Sequence, residues 1–468
     1  MIAFEGILNG IESTAVFIAV LSILIVVHEW GHFITAKLLG IKVEEFALGF
    51  GPTLWSKTYH ETNYMLKLFP LGGYVRMSGD ERSKCTGASH EYYSKSPGKR
   101  ALVVFNGPMI NFVLAYVSLV FVFMLGYPGL TTRITEVVAD GPAAQTQIKP
   151  SDEIVAINGK KIYGWLHLER LLEGKTAEPM KVTVSRNGTL IESTIQPTIE
   201  VRPTLLGIPT SFRDIGLGFL PNKIGGVGEG SPAEMAGMEA DDIVVEIDSK
   251  SITNWTSLQE AVATSEGEAI KLKFLRDGTT YEKEIVPDVV ETKDENGQPK
   301  TVRRLGISPL QDFGTFKFNF VDSLYYGFDE LWYVTRLTYE SLFRMVTGSV
   351  SAKDSVTGPV GIFYIVKGAA EAGLSHLLFI LGIISASLAI FNLLPMLPLD
   401  GGHLALLAIE KVRGKPLSEK IDEFIARLGF TLIIMLALYV FYSDFSRFGW
   451  IDGIIDSVTK LIKLFSKG

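Results

Sequence analysis

One cysteine, Cys85, stands among 468 residues, so no intrachain disulfide can form. Basic residues are absent from Met1 to Ser13, where Glu5 and Glu12 carry the only charges. A cleavable signal peptide opens on positive charge, so the first apolar run reads as a retained membrane span. Positive charge is also outweighed overall. The 44 Lys and Arg face 51 Asp and Glu, a net charge of −7, which argues against a nucleic-acid partner. Apolar residues are not lacking. They make up 47% of the chain, and the mean hydropathy is +0.26. That is high for a soluble enzyme and low for a pure transporter, and it suggests a few spans carrying soluble domains.

Four spans are predicted, at about 14–39, 101–126, 374–394 and 428–442, each near the length a helix needs to cross hydrocarbon. Residues 40–100 hold nine Lys and Arg against six Asp and Glu, and the short-loop rule places them in the cytoplasm. Lys411, Arg413, Lys415 and Lys420 mark a second cytoplasmic loop. Both termini and the long middle region then lie on the outer side.

The first span is interrupted by His28-Glu29-Trp30-Gly31-His32, directly after an uncharged run from Thr14 to Val27. On a helix, residues four apart share a face, so His28 and His32 can turn ring nitrogens toward one metal. Glu29 sits beside them, placed to take a proton from a water at that metal. Three ionisable side chains in a bilayer are costly unless they serve a function. The pattern points to a zinc peptidase site inside the membrane. Asp400 supplies a plausible third ligand, in Asn392-Leu393-Leu394-Pro395-Met396-Leu397-Pro398-Leu399-Asp400-Gly401-Gly402-His403 beside another apolar span. Taken alone, Asp400 could equally be a helix cap. Two histidines and one carboxylate leave a fourth position open, as a catalytic zinc requires.

The middle of the chain repeats itself with a shift of 90 residues. Gly141-Pro142-Ala143 matches Ser231-Pro232-Ala233, Asp152 matches Asp242, Ile157 matches Ile247, and Trp165 matches Trp255. Each copy reads as short strands, a Pro-Ala helix start, a strand, a turn at Asn158-Gly159 or Asp248-Ser249, and a helix. Two units of this size imply tandem domains rather than a solenoid. They resemble PDZ domains in the circularly permuted form of bacterial proteases, on the strength of SPAEMAGM, DDIVVEID and SDEIVAING. Such domains bind extended peptides by strand addition, or serve as steric covers that bind nothing tightly.

Residues 62–77 read as a β-hairpin, with Leu66, Leu68 and Phe69 apolar enough to dip into the membrane and Gly72-Gly73 as its break. Its edge must be buried in protein or line a cavity, where it could hold a substrate strand or merely cover the core. Leu66, Leu68 and Gly72 are therefore candidate substrate contacts. Residues 320–347 predict an amphipathic helix, with Leu324, Phe328, Leu331, Leu342 and Met345 on one stripe. Tyr325, Trp332 and Tyr333 suit a headgroup boundary, so the helix is expected on the outer membrane surface or packed on the second repeat. The tail from Trp450 to Phe465 reads similarly.

HEWGH, FNGPMINF at 105–112, the tandem repeat, TGPVGI at 357–362, NLLPMLPLDGGH and SDFSRF at 443–448 together resemble the site-2 protease family of intramembrane zinc metalloproteases, over nearly the whole chain. The resemblance implies a polytopic α-helical membrane protein of four transmembrane helices, with a membrane-associated β-hairpin and two β-rich circularly permuted PDZ domains. Its domains would be a membrane core at 1–126 and 374–446, PDZ domains at 127–220 and 221–315, linker helices at 316–373 and a tail at 447–468. It implies Zn2+ held by His28, His32 and Asp400, with Glu29 as general base and then proton donor. Asn392 would contact the substrate backbone or the developing oxyanion, or else pack helices. A second Asn expected five residues earlier in close relatives is Ser387 here. His403 reads as structural, and Gly107 to Asn111 as a face that packs spans together. The implied partners are single-span membrane substrates in the lipid bilayer of the bacterial inner membrane: anti-sigma factors after a first cut, and remnant signal peptides. The same residues leave open a site-2 protease of another circuit, or a zinc-binding scaffold without protease activity. A zinc transporter would need an ionisable path across the membrane, and the ionisable clusters lie only at the cytoplasmic ends.

Overall fold

The computed structural model describes residues 2–204, 209–265, 269–293, 299–348 and 357–447. The amphipathic tail expected at Trp450 to Phe465 lies outside them. The chain divides into two compact units, one of residues 1–127 with 317–468 and one of residues 128–316.

The first unit is built on helices. Among the described residues four are long and apolar enough to cross a membrane: Gly10–Leu38, Pro97–Leu125, Leu374–Asn392 and Lys420–Ser446. The first belongs to α1 (Ile2–Leu38), and the second is α2 (Pro97–Leu125). The last is longer than the predicted span, because Glu423 and Arg427 pair across one helical turn in its first part and mask the helix in a hydropathy reading. Helix α2 is central. Val103, Ala115, Leu119 and Phe123 are fully buried against neighbouring helices.

Following α1, strands β1 (Val43–Tyr59) and β2 (Thr62–Met77) form one long antiparallel pair, turning at His60 and Glu61, both at positive φ. The hairpin is therefore twice the predicted size, and 62–77 is only its second half. Gly49, Gly51 and Pro52 break the alternation of 43–59 and hid that strand from a periodicity reading. Strand β2 bends at Gly72, whose φ is 148, a conformation open chiefly to glycine. The bend folds β2 round β1, so Phe46 pairs with Tyr64 on one side and with Val75 on the other. Phe50, Leu54, Trp55, Leu66, Leu68 and Phe69 are exposed.

The predicted amphipathic helix is α3 (Phe320–Val346), capped by Asn319, which accepts from the Asp322 N–H at 2.9 Å. Its buried face is Ser323, Tyr326, Gly327, Glu330 and Val334, not the stripe expected from sequence. Gly327 lies so close to Val120 that a Cβ would come within 2.9 Å of it, and Tyr116 donates to the Leu324 carbonyl at 3.1 Å. The helix thus packs on α2, while Tyr325, Phe328, Trp332, Tyr339 and Phe343 stay exposed on its far side. Among the described residues, three more helices precede the last: α4 (Pro359–Ala372), α5 (Leu374–Asn392) and α6 (Asp400–Arg413). The last is α7 (Glu419–Arg447). Asp444 on α7 is buried and accepts from the N–H groups of Gly358 and Gly361 at 3.1 and 3.0 Å. A carboxylate at a helix N-terminus answers donors that lipid cannot.

The second unit contains the repeat. Strand Glu153–Ile157 pairs with Met180–Arg186, and Ile243–Ile247 with Ile270–Arg276, in the same register and with the same irregularity after Ile154 and Val244. Each pair sits in a four-stranded antiparallel sheet. Asn158-Gly159 and Asp248-Ser249 turn at positive φ, and Asn158 and Asp248 accept from the Lys181 and Lys271 N–H groups at 2.8 Å. The cores correspond position by position: Ile154 and Val244, Ile157 and Ile247, Leu168 and Leu258, Val184 and Phe274.

Each copy also buries one aspartate under one arginine. Arg186 contacts Asp152 at 2.7 Å, and Arg276 contacts Asp242 at 2.7 Å. The Arg186 guanidinium holds the Asp152 carboxyl below the usual carboxylate range. A depressed carboxylate stabilises the fold above its unfolded pKa of about 3.9, and that contribution is lost as pH falls through the lower folded value. Asp242→Ala leaves the arginine without its fully buried partner and should destabilise the second copy by roughly 2–4 kcal/mol. Hydrogen-exchange protection of Ile270–Arg276 in the whole protein would read this loss, with Met180–Arg186 as the unperturbed reference.

Candidate metal centre

Helix α1 places His28, Glu29 and His32 on one side, and α6 brings in Asp400 across 368 residues of chain. His28 Nε2 lies 3.2 Å from Asp400 Oδ2, and His32 Nε2 lies 3.6 Å from the same oxygen. The two Nε2 atoms stand 3.2 Å apart. Among the described residues this is the one group of His, Cys, Asp and Glu whose ligand atoms converge closely enough for a metal. Ligands bonded at about 2.0–2.1 Å in a tetrahedron stand about 3.3–3.4 Å apart, so the three atoms match the zinc donor set in type and spacing.

The groups behind the ligands fit as well. His32 Nδ1 lies 2.9 Å from the Val103 carbonyl, which must accept its proton and so leaves Nε2 as the lone-pair nitrogen. His28 Nδ1 faces the amide of Asn111 at 3.5 Å. Asn111 is fully buried and its Oδ1 has no partner. A His28 that offers Nε2 to a metal carries its proton on Nδ1 and needs an acceptor there. Turning the Asn111 amide by half a turn supplies Oδ1 as that acceptor and removes the orphan. The face from Gly107 to Asn111 therefore does more than pack spans. Sequence reasoning missed this role of Asn111, and its signal was a buried amide in an otherwise apolar helix.

Glycines set the distances. A Cβ on Gly107 would overlap the His32 ring, and one on Gly31 would come within 2.8 Å of Ile110 and meet the Asn106 carbonyl. Asn106 fastens the same contact by donating to Thr35 Oγ1 at 2.6 Å. On the other side, Gly401 and Gly402 let α6 begin flush against Leu393, Leu394 and Met396, which aims Asp400 at the histidines.

A cavity of about 160 Å³ opens on this centre, lined by Glu29, His32 and Asp400 with Val75, Met77, Asp80 and Tyr92. Gly73 packs against Glu29, so that a Cβ there would lie 3.2 Å from Glu29 Cγ. The strand segment beside the acid is thus Gly73 to Met77. Leu66 and Leu68, expected to touch substrate, are not among the residues lining this cavity; Leu66 pairs with Leu48 and Trp55 instead. Gly72 serves as the bend that brings Gly73 to Glu29. Asn392 ends α5, half-buried, and its amide has no hydrogen-bond partner among the described residues. Ser385, not Ser387, makes the polar contact of α5 with the middle of α2, donating to the Asn111 carbonyl at 2.8 Å. His403 lies one turn beyond Asp400, outside the ligand group.

Comparison with known proteins identifies the family of the chain as a whole. The sequence model described as Peptidase family M50 matches residues 16–436. The chain is 33% identical to the Regulator of sigma-E protease RseP of Escherichia coli (strain K12), over 94% of this chain and 100% of that protein. It is 32% identical to Protease RseP of Yersinia pestis, over 93% of this chain and 98% of that one. With the Regulator of sigma E protease of Haemophilus influenzae the identity is 30%, over 92% and 98%. Among solved structures, the PDZ domain of an SdrC-like protein from Listeria monocytogenes is similar at 18% identity, covering 19% of this chain and 85% of that one, with a TM-score of 0.16.

Asn111→Ala should weaken metal affinity about 10–100-fold without unfolding the span, the range seen when a partner behind a ligand is lost. Competitive zinc titration of the purified protein measures this. Gly107→Ala should weaken it through the His32 ring, which has nowhere to move.

Proposed function

The chain belongs to peptidase family M50, the site-2 proteases, and is a metalloprotease; on that premise we propose that it cleaves single-span membrane proteins within the bilayer, using zinc held by His28, His32 and Asp400. The observation that carries this reading is the convergence of three ligand atoms with one free carboxylate, Glu29, beside them. Zinc, when bound, supplies Lewis-acid polarisation of water and of the scissile carbonyl. Glu29 takes the proton of the attacking water and returns it to the leaving amine. Val103 and Asn111 hold the two imidazoles in the tautomer that offers Nε2. Asn392 is read as a contact to the substrate backbone, and its amide, unpartnered among the described residues, is free to donate there.

A transmembrane helix hides its carbonyls in its own hydrogen bonds and must unwind before attack. The edge of β2 from Gly73 to Met77 is suited to hold the unwound segment as an added strand. One edge of this segment is paired with β1, and the face that carries Gly73, Val75 and Met77 borders Glu29 and the cavity. The two copies in the second unit are read as permuted PDZ domains in tandem, acting as a filter that admits substrates only after their outer portion has been trimmed. The relatives are named for regulation of sigma-E, so an anti-sigma factor in the bacterial inner membrane is the proposed substrate, with remnant signal peptides as a second class. The orientation follows the positive loops: residues 40–100 in the cytoplasm, the second unit outside.

Glu29→Gln should lower cleavage of a model single-span substrate by about 10²–10⁴-fold while zinc content stays unchanged. Chelation should abolish cleavage in the native protein, and added zinc should restore it. Full cleavage by Glu29→Gln in purified form would remove Glu29 from the chemistry.

A further inference from the structure

Two cavities meet at Asp80. The one on the metal centre holds Glu29, His32 and Asp400. The other, of about 230 Å³, is lined by Arg82, Arg100, His403, Glu410 and Asp422 among others. Asp80, Tyr92 and Val104 line both.

The charges in the larger cavity are matched except one. Arg100 lies 2.5 Å from Glu410 and Arg82 lies 3.5 Å from Asp422. Asp80 accepts from the Met77 N–H at 3.2 Å and has no basic partner among the described residues. Burial, first, and then the nearby Glu81 and Glu44 carboxylates push its own carboxyl above the usual range. Nor is Asp80 free to seek a cation elsewhere. Its turn is tied down by Ser78, whose N–H donates to the Lys42 carbonyl at 2.8 Å, and by Tyr92, whose N–H donates to the Ser78 carbonyl at 2.8 Å. Behind the turn, Glu91 accepts from the N–H groups of Thr86, Gly87 and Ala88 at 2.9, 2.8 and 3.1 Å. A Cβ on Gly79 would come within 2.6 Å of Glu91.

The strand whose face borders Glu29 at Gly73 ends at Met77, whose N–H is the one Asp80 holds. A segment laid alongside this strand passes the metal centre and arrives at Asp80. On the cytoplasmic side of a membrane span, the flanking residues are rich in Lys and Arg. Asp80 is exposed at the mouth shared by the two cavities, and a carboxylate fixed there with no counter-charge among the described residues favours a cation passing beside it.

We propose that Asp80 is a specificity-determining residue that selects a basic side chain on the cytoplasmic flank of the scissile bond. The inference rests on the protease reading above and adds the chemistry that the enzyme prefers in its substrate. The test is a set of model single-span substrates with Lys, Gln or Glu at each of about six positions on that flank, compared by kcat/KM. Native enzyme should favour Lys over Glu by roughly five- to tenfold at one or two of these positions. Asp80→Asn should erase the preference, Asp80→Lys should reverse it, and Asp80→Glu should restore it. Zinc content and thermal melting of each variant separate loss of selection from loss of fold. Cleavage by native enzyme with no charge preference, or a preference unchanged in Asp80→Asn, overturns the proposal while leaving the protease intact. Absence of cleavage of every substrate by native enzyme overturns the protease reading itself.

Discussion

The structure depends on how closely two apolar helices can approach. Charged and polar side chains at membrane depth must be enclosed by protein, and enclosure requires backbone against backbone. Gly31 and Gly107 provide it: a methyl group on either would collide with the opposite helix or with the His32 ring. Once α1 and α2 are this close, the Val103 carbonyl and the Asn111 amide fall behind the two imidazoles. The tautomers of the two imidazoles and the burial of the amide both follow from one contact made by two residues with no side chain.

The same economy governs the second half of the site. Gly401 and Gly402 seat the start of α6 on the turn after α5, so that Asp400 reaches the histidines from the far end of the sequence. Farther along, Asp444 receives the backbone donors at the start of α4 and so joins the last helix to the core through a charge that lipid could not satisfy. In both places an acid is tolerated inside an apolar region because backbone geometry was shaped to meet it.

Much of this was legible in the sequence because it rests on local periodicity. Helical spacing in HEWGH, uninterrupted apolar runs and a 90-residue shift with matching Asp, Ile and Trp positions need no tertiary knowledge. The structure brings the histidines and Asp400 together as their residue types implied. What stayed hidden depends on contacts between distant segments. The partnership of Asn111 with His28 cannot be read from spacing, since 83 residues part them. Nor can the fold of β2 round β1, because its glycines and bulges destroy the alternation that marks a strand. The face on which α3 is buried was misjudged for a related reason. In a membrane the large aromatic residues can face lipid while small ones such as Ser323 and Gly327 face protein, the reverse of the rule in water.

The two copies in the second unit share their register, their irregularity and their buried Asp–Arg pair. Similar neighbours in one chain invite a folding error in which a strand of one copy enters the sheet of the other. Their cores differ in size at matching places, with Val184 where the second copy has Phe274 and Val182 where it has Leu272. A strand exchanged from the first copy into the second would leave holes where Phe274 and Leu272 belong, and the reverse exchange would overfill the first. Divergence of the two cores thus means that each strand fits its own sheet with neither holes nor overpacking.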